Sequence, residues 1–305
     1  MQRSRRFLAV DILYLSIAVL PLLFGIILKI LTTPASEGIT ITGAQVYFTV
    51  PMPLQSLPVS AAQVNSVLVI ISVFGLCLYL THGIAVRPNT KRQHLAEWIV
   101  EKTEGLVSES MGGYFSGYAP FIGTILAISA VSSLLSLLGL FPPTSDINIV
   151  AGWAILVFIL ITYYKLKGGF LNYLKGFTEP IFVMTPLNIL GEIATPVSMA
   201  FRHYGNVLSG SVIAVLIASA LSGLSSLLLG WLPGVFGEIP FLQVGLPAVL
   251  SIYFDVFSGC MQAYIFAMLT MLNVAGAFPE DEYEKRRKKK LEREAAKKAS
   301  LQAKA

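Results

Sequence analysis

Long apolar runs dominate the chain, and polar residues interrupt them at only a few positions. Residues 7–31 are apolar apart from Asp11 and Lys29, and further runs of spanning length cover residues 65–86, 119–141, 147–164, 181–230 and 244–277. A helix needs about 20 predominantly apolar residues to cross the hydrocarbon core of a bilayer. The pattern predicts an all-α polytopic membrane protein with about six membrane segments. Its first apolar run is longer than that of a signal peptide, so we expect an uncleaved span.

Composition and charge agree with a membrane protein and orient it. Of the 305 residues, 55% are hydrophobic and 13% are charged, which excludes an ordinary soluble domain. Basic residues lie before the first run, at 87–92, at 165–175 and in the tail, whereas residues 32–65, 142–147 and 231–243 contain none. Because cytoplasmic loops carry the excess of lysine and arginine, we expect a multi-pass protein with both termini in the cytoplasm. The N terminus and the basic tail favour a prokaryotic plasma membrane.

Four regions follow from these boundaries. They are an N-terminal span at 1–31, an external segment at 32–64, a membrane core at 65–278 and a charged tail at 279–305. From residue 280 onward the tail holds ten basic and six acidic residues and no Gly or Pro. This composition is typical of a solvated helix or a partly disordered tail, and a contact with anionic lipid or another subunit stays open.

Two further segments have helical patterns. Residues 91–113 place Leu95, Trp98 and Ile99 largely on one side of a helix, which predicts a helix along the cytoplasmic interface. The run at 119–141 is spaced with small residues that allow close helix packing. Cys77 and Cys260 lie in membrane segments without metal-ligand spacing, so we expect them to fill the core, and we expect no metal and no cofactor.

The last two apolar regions are too long to stand upright. Residues 187–229 as one helix would extend about 65 Å and residues 247–277 about 46 Å, against a hydrocarbon core of about 30 Å. Either the first breaks, with Pro196, Gly205 or Gly210 as candidates, or it lies strongly tilted. Two long, tilted helices would form a hairpin suited to wrapping a neighbouring protein.

A charged residue lies in the middle of the first of these helices. An arginine near the bilayer centre costs roughly 2.5–3.5 kcal/mol on insertion scales, so Arg202 is a functional candidate by default. Helical spacing places it on one face with four other polar residues, and we call this face the polar stripe: Thr195, Ser198, Arg202, Asn206 and Ser209. On the last helix a second set repeats at helical spacing: Asp255, Ser258, Gln262 and Asn273. These groups could simply bond across a helix interface, but Glu192 and Asp255 are carboxylates, which in membrane spans mark ion paths.

Asp146 and Asn148 precede the fourth span at its outer end. Asp146 is a good N-cap type, so the two residues could cap a helix. They could equally line an aqueous entrance, and the sequence leaves both interpretations open.

Four sequence patterns resemble subunit a of the rotary F-type ATP synthases. RHYGN at 202–206 resembles the family's R-L-F-G-N signature, and PPTSDIN resembles its P-T-A-D-x-N motif. PLNILGEIATPVS resembles the family's P-L-x-x-x-E-E-x-x-x-P-x-S segment, which precedes the signature. MQAYIFAMLTML resembles its L-Q-A-F-I-F run. The resemblance covers roughly residues 60–278. It implies a stator subunit that is no enzyme on its own and that assembles with the c-ring, the b subunits of the peripheral stalk and the rest of the complex.

The resemblance also implies roles for individual residues. Arg202 would face the ion-binding carboxylate of each passing c subunit and would block direct ion flow between two half-channels. Asn206 and Gln262 would flank Arg202. Aqueous access would involve carboxylates and their neighbours: Glu192, Asp255, Asp146 and Asn148. The expected coupling ion is a proton, with sodium left open.

Some positions depart from the family pattern. Ser211 stands where many members carry a glutamate, and Asp255 stands where many carry a histidine or an acid, so we expect Asp255 to supply the membrane carboxylate. His203 replaces the usual leucine, and one helical step turns it off the Arg202 face, which favours a packing role.

Two other function classes remain as alternatives. A secondary transporter would show an internal repeat, whereas the long polar hairpin occurs once. A membrane assembly factor would not need Arg202 facing Asn206 and Gln262. No phosphate-binding G-x-x-x-x-G-K-[ST] motif occurs, so nucleotide chemistry would belong to other subunits, and we expect no nucleic-acid partner beside protein subunits and membrane lipid.

Overall fold

The computed structural model describes residues 2–32, 43–53, 55–86, 90–178, 181–229 and 245–279, together with residues 284 and 288. The predicted loop at 231–243, nearly all of the charged tail and the Arg87–Pro88 boundary of the second span lie outside the described residues. Six helical stretches are long and apolar enough to cross a membrane, which confirms the predicted number of spans: Phe7–Thr32, Ala61–Thr81, Gly113–Leu138, Ile147–Lys167, Phe182–Leu228 and Val249–Gly276.

The first span packs along the second. Helix α1 (Gln2–Thr32) and helix α2 (Ala61–Thr81) approach closely because Gly75 has no side chain: a Cβ there would lie 2.6 Å from the backbone nitrogen of Ala18. At one end of this pair, the Asp11 carboxylate accepts from Arg92 at 2.7 Å and lies 2.8 Å from His82 Nδ1. The N-terminal span is therefore fixed to the bundle by backbone packing and by an ion pair.

The external segment contains a small β-hairpin that the sequence pattern did not predict. Strand β1 (Val46–Val50) pairs antiparallel with strand β2 (Leu57–Ser60), and the pairing is irregular between Val46 and Phe48. Helix α2 begins directly after β2, where the Gln63 side chain accepts from the Ser60 N–H at 2.6 Å. Apart from this hairpin, the regular secondary structure of the described residues is helical.

The core lies among the helices that follow. Helix α3 (Lys91–Met111) is the helix that the amphipathic pattern predicted, and Thr90 is its N-cap. On this helix Leu95 and Trp98 are exposed, whereas Val107 is buried. Next come a 3₁₀ segment (Gly113–Tyr118), α4 (Ala119–Leu134) and α5 (Ile147–Lys167), with 3₁₀ turns at Leu135–Leu138 and Pro143–Ser145 between them. Many of their buried apolar side chains form the largest cluster of the described residues together with the last helix, including Ile122, Val157 and Phe266.

The long hairpin consists of two uninterrupted helical runs. After α6 (Phe170–Thr178) and a 3₁₀ turn (Phe182–Met184), helix α7 runs from Thr185 to Leu229 for 45 residues with Pro196 inside it. It breaks at none of the three candidate positions, and at about 67 Å it must tilt or curve to stay within a bilayer core of about 30 Å. The second run consists of α8 (Leu246–Ser251), a π-helical segment (Ile252–Ser258) and α9 (Gly259–Gly276).

Small residues allow this hairpin to pack closely, as expected for membrane helices. A Cβ on Gly210 of α7 would lie 3.1 Å from the Phe254 ring, and a Cβ on Gly259 would lie 2.7 Å from Ser133 Cβ on α4. In contrast, the prediction that both cysteines fill the core is wrong. Cys77 and Cys260 are exposed on their helices. On the surface of a membrane span a thiol contacts lipid, which is as apolar as the protein core.

Candidate functional site

Arg202 lies on a helix face that the described chain leaves uncovered. Arg202, Ser198, Asn206 and Ser209 are all exposed, and Thr195 is half-buried, so the predicted polar stripe does form one open face of α7. In the most apolar stretch of this span only 6% of the residues are buried, against 28% in the last span. A polar face of this kind inside a membrane protein requires water or a partner to cover it.

One polar contact fixes the stripe to the second half of the hairpin. The Asn206 amide donates to the Ser258 hydroxyl at 2.8 Å, and Gly210, one turn along the helix, packs against Phe254. Gln262 is 3% exposed and lies in the core, whereas Arg202 is exposed. That Gln262 flanks Arg202 therefore stays a prediction.

Asp255 lies within the π-helical segment. Its carboxylate is half-buried and accepts a hydrogen bond from the Ser251 hydroxyl, one turn earlier. The expected alignment of Asp255 with Gln262 assumed α-helical spacing, which does not hold across residues 252–258. π-helical turns occur frequently at functional sites, because the wider turn redirects side chains.

Glu192 lies beside two cavities at one end of α7. The larger, of about 540 Å³, extends between α6 and α7, and the smaller, of about 230 Å³, extends toward Asn273 of α9. We call these the inner cavities. The Glu192 carboxylate lies 3.1 Å from Lys165 Nζ and accepts from the Tyr173 hydroxyl at 3.2 Å. Burial of Tyr173 and the nearby Glu192 carboxylate raise the pKa of the Tyr173 phenol.

Asp146 and Asn148 lie at a third cavity, of about 670 Å³, at the opposite end of the bundle. We call it the outer cavity. Asp146 is the N-cap of α5 and accepts from the Asn148 N–H at 2.9 Å and from its side-chain amide at 3.1 Å. Both residues also line this cavity, together with Ser211 and Lys29. The helix cap is therefore present in the structure, and the position at the outer cavity is compatible with the aqueous entrance, which stays a prediction.

Arg202 separates the two sets of cavities along α7. The α7 residues that line the inner cavities end at Thr195, and those that line the outer cavity begin at Tyr204. At 1.5 Å per residue, Arg202 lies about 10 Å along the axis from Thr195 and about 3 Å from Tyr204. Along α7, a permanent positive charge thus stands between the inner cavities and the outer cavity.

His203 points away from the stripe, as its helical position predicted. It is 0% exposed, with its ring 5.5 Å from Phe266 and 6.0 Å from Trp153 between centroids. Its Nε2 lies 3.5 Å from the Ser129 hydroxyl, which is at the limit of a hydrogen bond. The contacts are those of a packed core side chain.

Sequence patterns missed several residues that the structure brings to these cavities. Lys165 entered the sequence analysis only as one of the basic residues at 165–175 that orient the chain, yet it pairs with Glu192. Tyr173 lies on α6, a short helix for which no pattern was identified. Lys29 belongs to the N-terminal span and donates to the Gly139 carbonyl at the outer cavity. In each case the contact joins residues distant in the chain, so spacing alone gave no signal.

Comparison with known proteins shows one consistent family. A sequence model of the family described as ATP synthase A chain matches residues 63–274. The chain is 31% identical over 234 residues to "ATP synthase subunit a 3" of Pelobacter propionicus, covering 75% of this chain and 92% of that protein. It is 27% identical over 275 residues to "ATP synthase subunit a, sodium ion specific" of Propionigenium modestum, covering 80% and 88%. It is 29% identical over 220 residues to "ATP synthase subunit a" of Macrococcus caseolyticus, covering 68% and 86%.

Proposed function

The chain belongs to the ATP synthase A chain family, and from that premise we propose that it is the ion-translocating stator subunit in the membrane sector of a rotary ATP synthase. As a membrane-sector subunit it performs no catalysis of its own, and nucleotide chemistry takes place on other subunits. Family membership decides against the secondary transporter.

One observation carries the mechanism: an exposed arginine lies, along α7, between the inner cavities and the outer cavity at the two ends of the bundle. A c-ring docked on the polar stripe would cover Arg202 and present its ion-binding carboxylates to it. The guanidinium is permanently charged and attracts each arriving carboxylate in its ionised form. An ion cannot pass Arg202 directly and has to travel around with the ring, so that ion flow is coupled to rotation.

The recesses supply the two half-channels. Glu192 attracts ions on the inner side, and Asp146 and Asn148 do so on the outer side, while Asp255 provides a carboxylate within the membrane. Asn206 and Gln262 shape the surroundings of the arginine. The membrane potential contributes about 2.3 kcal/mol per elementary charge per 100 mV to this transfer.

Charge placement supports an orientation with both termini in the cytoplasm of a prokaryotic cell. Lys165, Lys167 and Lys175 lie at the end of the bundle that holds the inner cavities, and cytoplasmic loops carry the basic residues. We propose a proton as the coupling ion, and the c subunits and the peripheral stalk b subunits as direct partners.

The decisive experiment replaces Arg202 in the complete complex. Inside-out membrane vesicles with Arg202→Ala should lose ATP-driven ion pumping and should show a raised passive ion conductance once the catalytic sector is stripped off. Ser219→Ala is a control on the same helix, since Ser219 only donates to the Val215 carbonyl at 2.9 Å. Full pumping by Arg202→Ala, or purification of the wild-type chain without c subunits, contradicts the proposal.

A further inference from the structure

Lys165 and Glu192 share the wall between the two inner cavities. Both residues line both cavities, as does Thr195. The side chain of Glu192 is 8% exposed and that of Lys165 is 34% exposed, so the carboxylate is the more enclosed partner of the pair. A carboxylate this enclosed needs a compensating charge or hydrogen bonds.

Two neighbouring helices, α5 and α6, reach the Glu192 carboxylate of α7. Lys165 reaches it from the end of α5 at 3.1 Å, and Tyr173 donates to it from α6 at 3.2 Å. The contact between α6 and α7 is held in addition by the Asn188 side-chain amide, which donates to the Phe177 carbonyl at 2.9 Å. Among the described residues that line the inner cavities, the charged or titratable side chains are Lys165, Tyr173 and Glu192.

We propose that Lys165 is a positioning residue of the inner ion pathway, which holds the Glu192 carboxylate toward both cavities and which an entering cation displaces from that carboxylate. The proposal rests on the proposed function. The Glu192 carboxylate is then already paired with the Lys165 ammonium. An entering ion has to compete with this ammonium, so the ion binds weakly and dissociates readily. Weak binding suits a pathway that has to pass ions on to the rotor.

Competition between Lys165 and the ion predicts a measurable change in ion dependence. ATP-driven pumping in inside-out vesicles takes up the ion from the bath that contacts the cytoplasmic face, so the bath ion concentration at half-maximal rate reports on this pathway. Lys165→Gln should lower that concentration about threefold or more, because the carboxylate loses its competing cation. The maximal rate should fall as well, because the ion leaves more slowly.

Matched variants separate this effect from general damage. Lys165→Arg keeps the cation and should retain the wild-type half-maximal concentration. Lys167→Gln removes the same charge two residues away, where the ammonium packs over the rings of Tyr163 and Tyr164. Its half-maximal ion concentration should stay within about twofold of the wild-type value. In a Glu192→Gln background, Lys165→Gln should cause no further shift, since the competition needs the carboxylate.

An unchanged half-maximal concentration in Lys165→Gln overturns the inference, and so does a shift that persists without the Glu192 carboxylate. If Lys165→Gln fails to assemble with c subunits, Lys165→Met is the test: it removes the charge and keeps most of the aliphatic stem, so it must lower the half-maximal concentration, and an unmoved value overturns the inference equally. Loss of pumping in Arg202→Ala with no shift in Lys165→Gln refutes this inference alone. Retained pumping in Arg202→Ala refutes the proposed function.

Discussion

Replacing Gly259 with alanine should push the last helix away from α4. An alanine Cβ at this position would lie 2.7 Å from Ser133 Cβ and 3.4 Å from Ser133 Oγ. Because Ser133 Cβ is attached directly to a helix backbone, no flexible side-chain tip can yield. The two helices would have to separate by about 0.7 Å to reach the ordinary contact distance of 3.4 Å.

The cost follows from two opposing effects. Overpacking a close contact costs about 1–3 kcal/mol, while alanine is about 1 kcal/mol more favourable than glycine within a helix. A net destabilisation of about 1 kcal/mol is therefore expected, which lowers the melting temperature of a protein of this size by about 2–4 °C. Ser258 precedes Gly259, so the same displacement would also disturb its 2.8 Å bond to Asn206.

The assay combines stability with function. Purified complexes carrying Gly259→Ala should show earlier thermal inactivation and reduced ATP-driven pumping. Gly223→Ala is the control on α7 of the same hairpin, because a Cβ there meets no neighbouring atom within 4 Å and Gly223 lines none of the three cavities. The double variant Ser133→Gly with Gly259→Ala exchanges the two side chains across the contact and should recover most of the loss, although it gives up the Ser133 bond to the Ser129 carbonyl.

Equal stability and pumping of Gly259→Ala and Gly223→Ala would refute the close contact. A double variant no better than Gly259→Ala would show that the cost arises elsewhere than at Ser133.

Three further outcomes are expected. Asp255→Asn should reduce coupled transport far more than Ser211→Ala, because Asp255 is a carboxylate within a membrane span whereas the Ser211 hydroxyl donates to the Leu208 carbonyl. Equal, mild effects of the two variants would count against Asp255. Gly75→Ala should loosen α1 from α2, seen as faster proteolysis of the N-terminal span, because an added Cβ meets the Ala18 backbone at 2.6 Å; unchanged protection would argue against that packing. Pumping measured as vesicle acidification should proceed without sodium ions, and a requirement for sodium would exclude the proton as sole coupling ion.

Much of the fold could be predicted because membrane spans are encoded locally. Apolar runs of sufficient length gave all six spans, and chain length alone showed that the region carrying Arg202 must either break or tilt. Helical spacing correctly placed the polar stripe on one face and His203 on the other. In these cases the physical cause lies within a single helix.

The remaining features depend on contacts that spacing does not encode. The pairing of Lys165 with Glu192 joins the ends of two spans, and the β-hairpin at 46–60 forms in a segment that looked like a plain loop. Pro196 did not break α7, because the neighbouring turns of a long membrane helix can accommodate a proline. Exposure of Cys77 and Cys260 was missed for a related reason, since lipid-facing and core positions are equally apolar.

The π-helical segment has a consequence for comparing relatives of this chain. A π-helical turn holds more residues than an α-helical turn. A single insertion or deletion within residues 252–258 would therefore change the number of residues per turn there without breaking the helix. Residues on one side of the change would rotate by about 100° relative to the other. In two relatives, the membrane carboxylate could therefore lie at the same point in space although an ungapped alignment places the two residues one position apart.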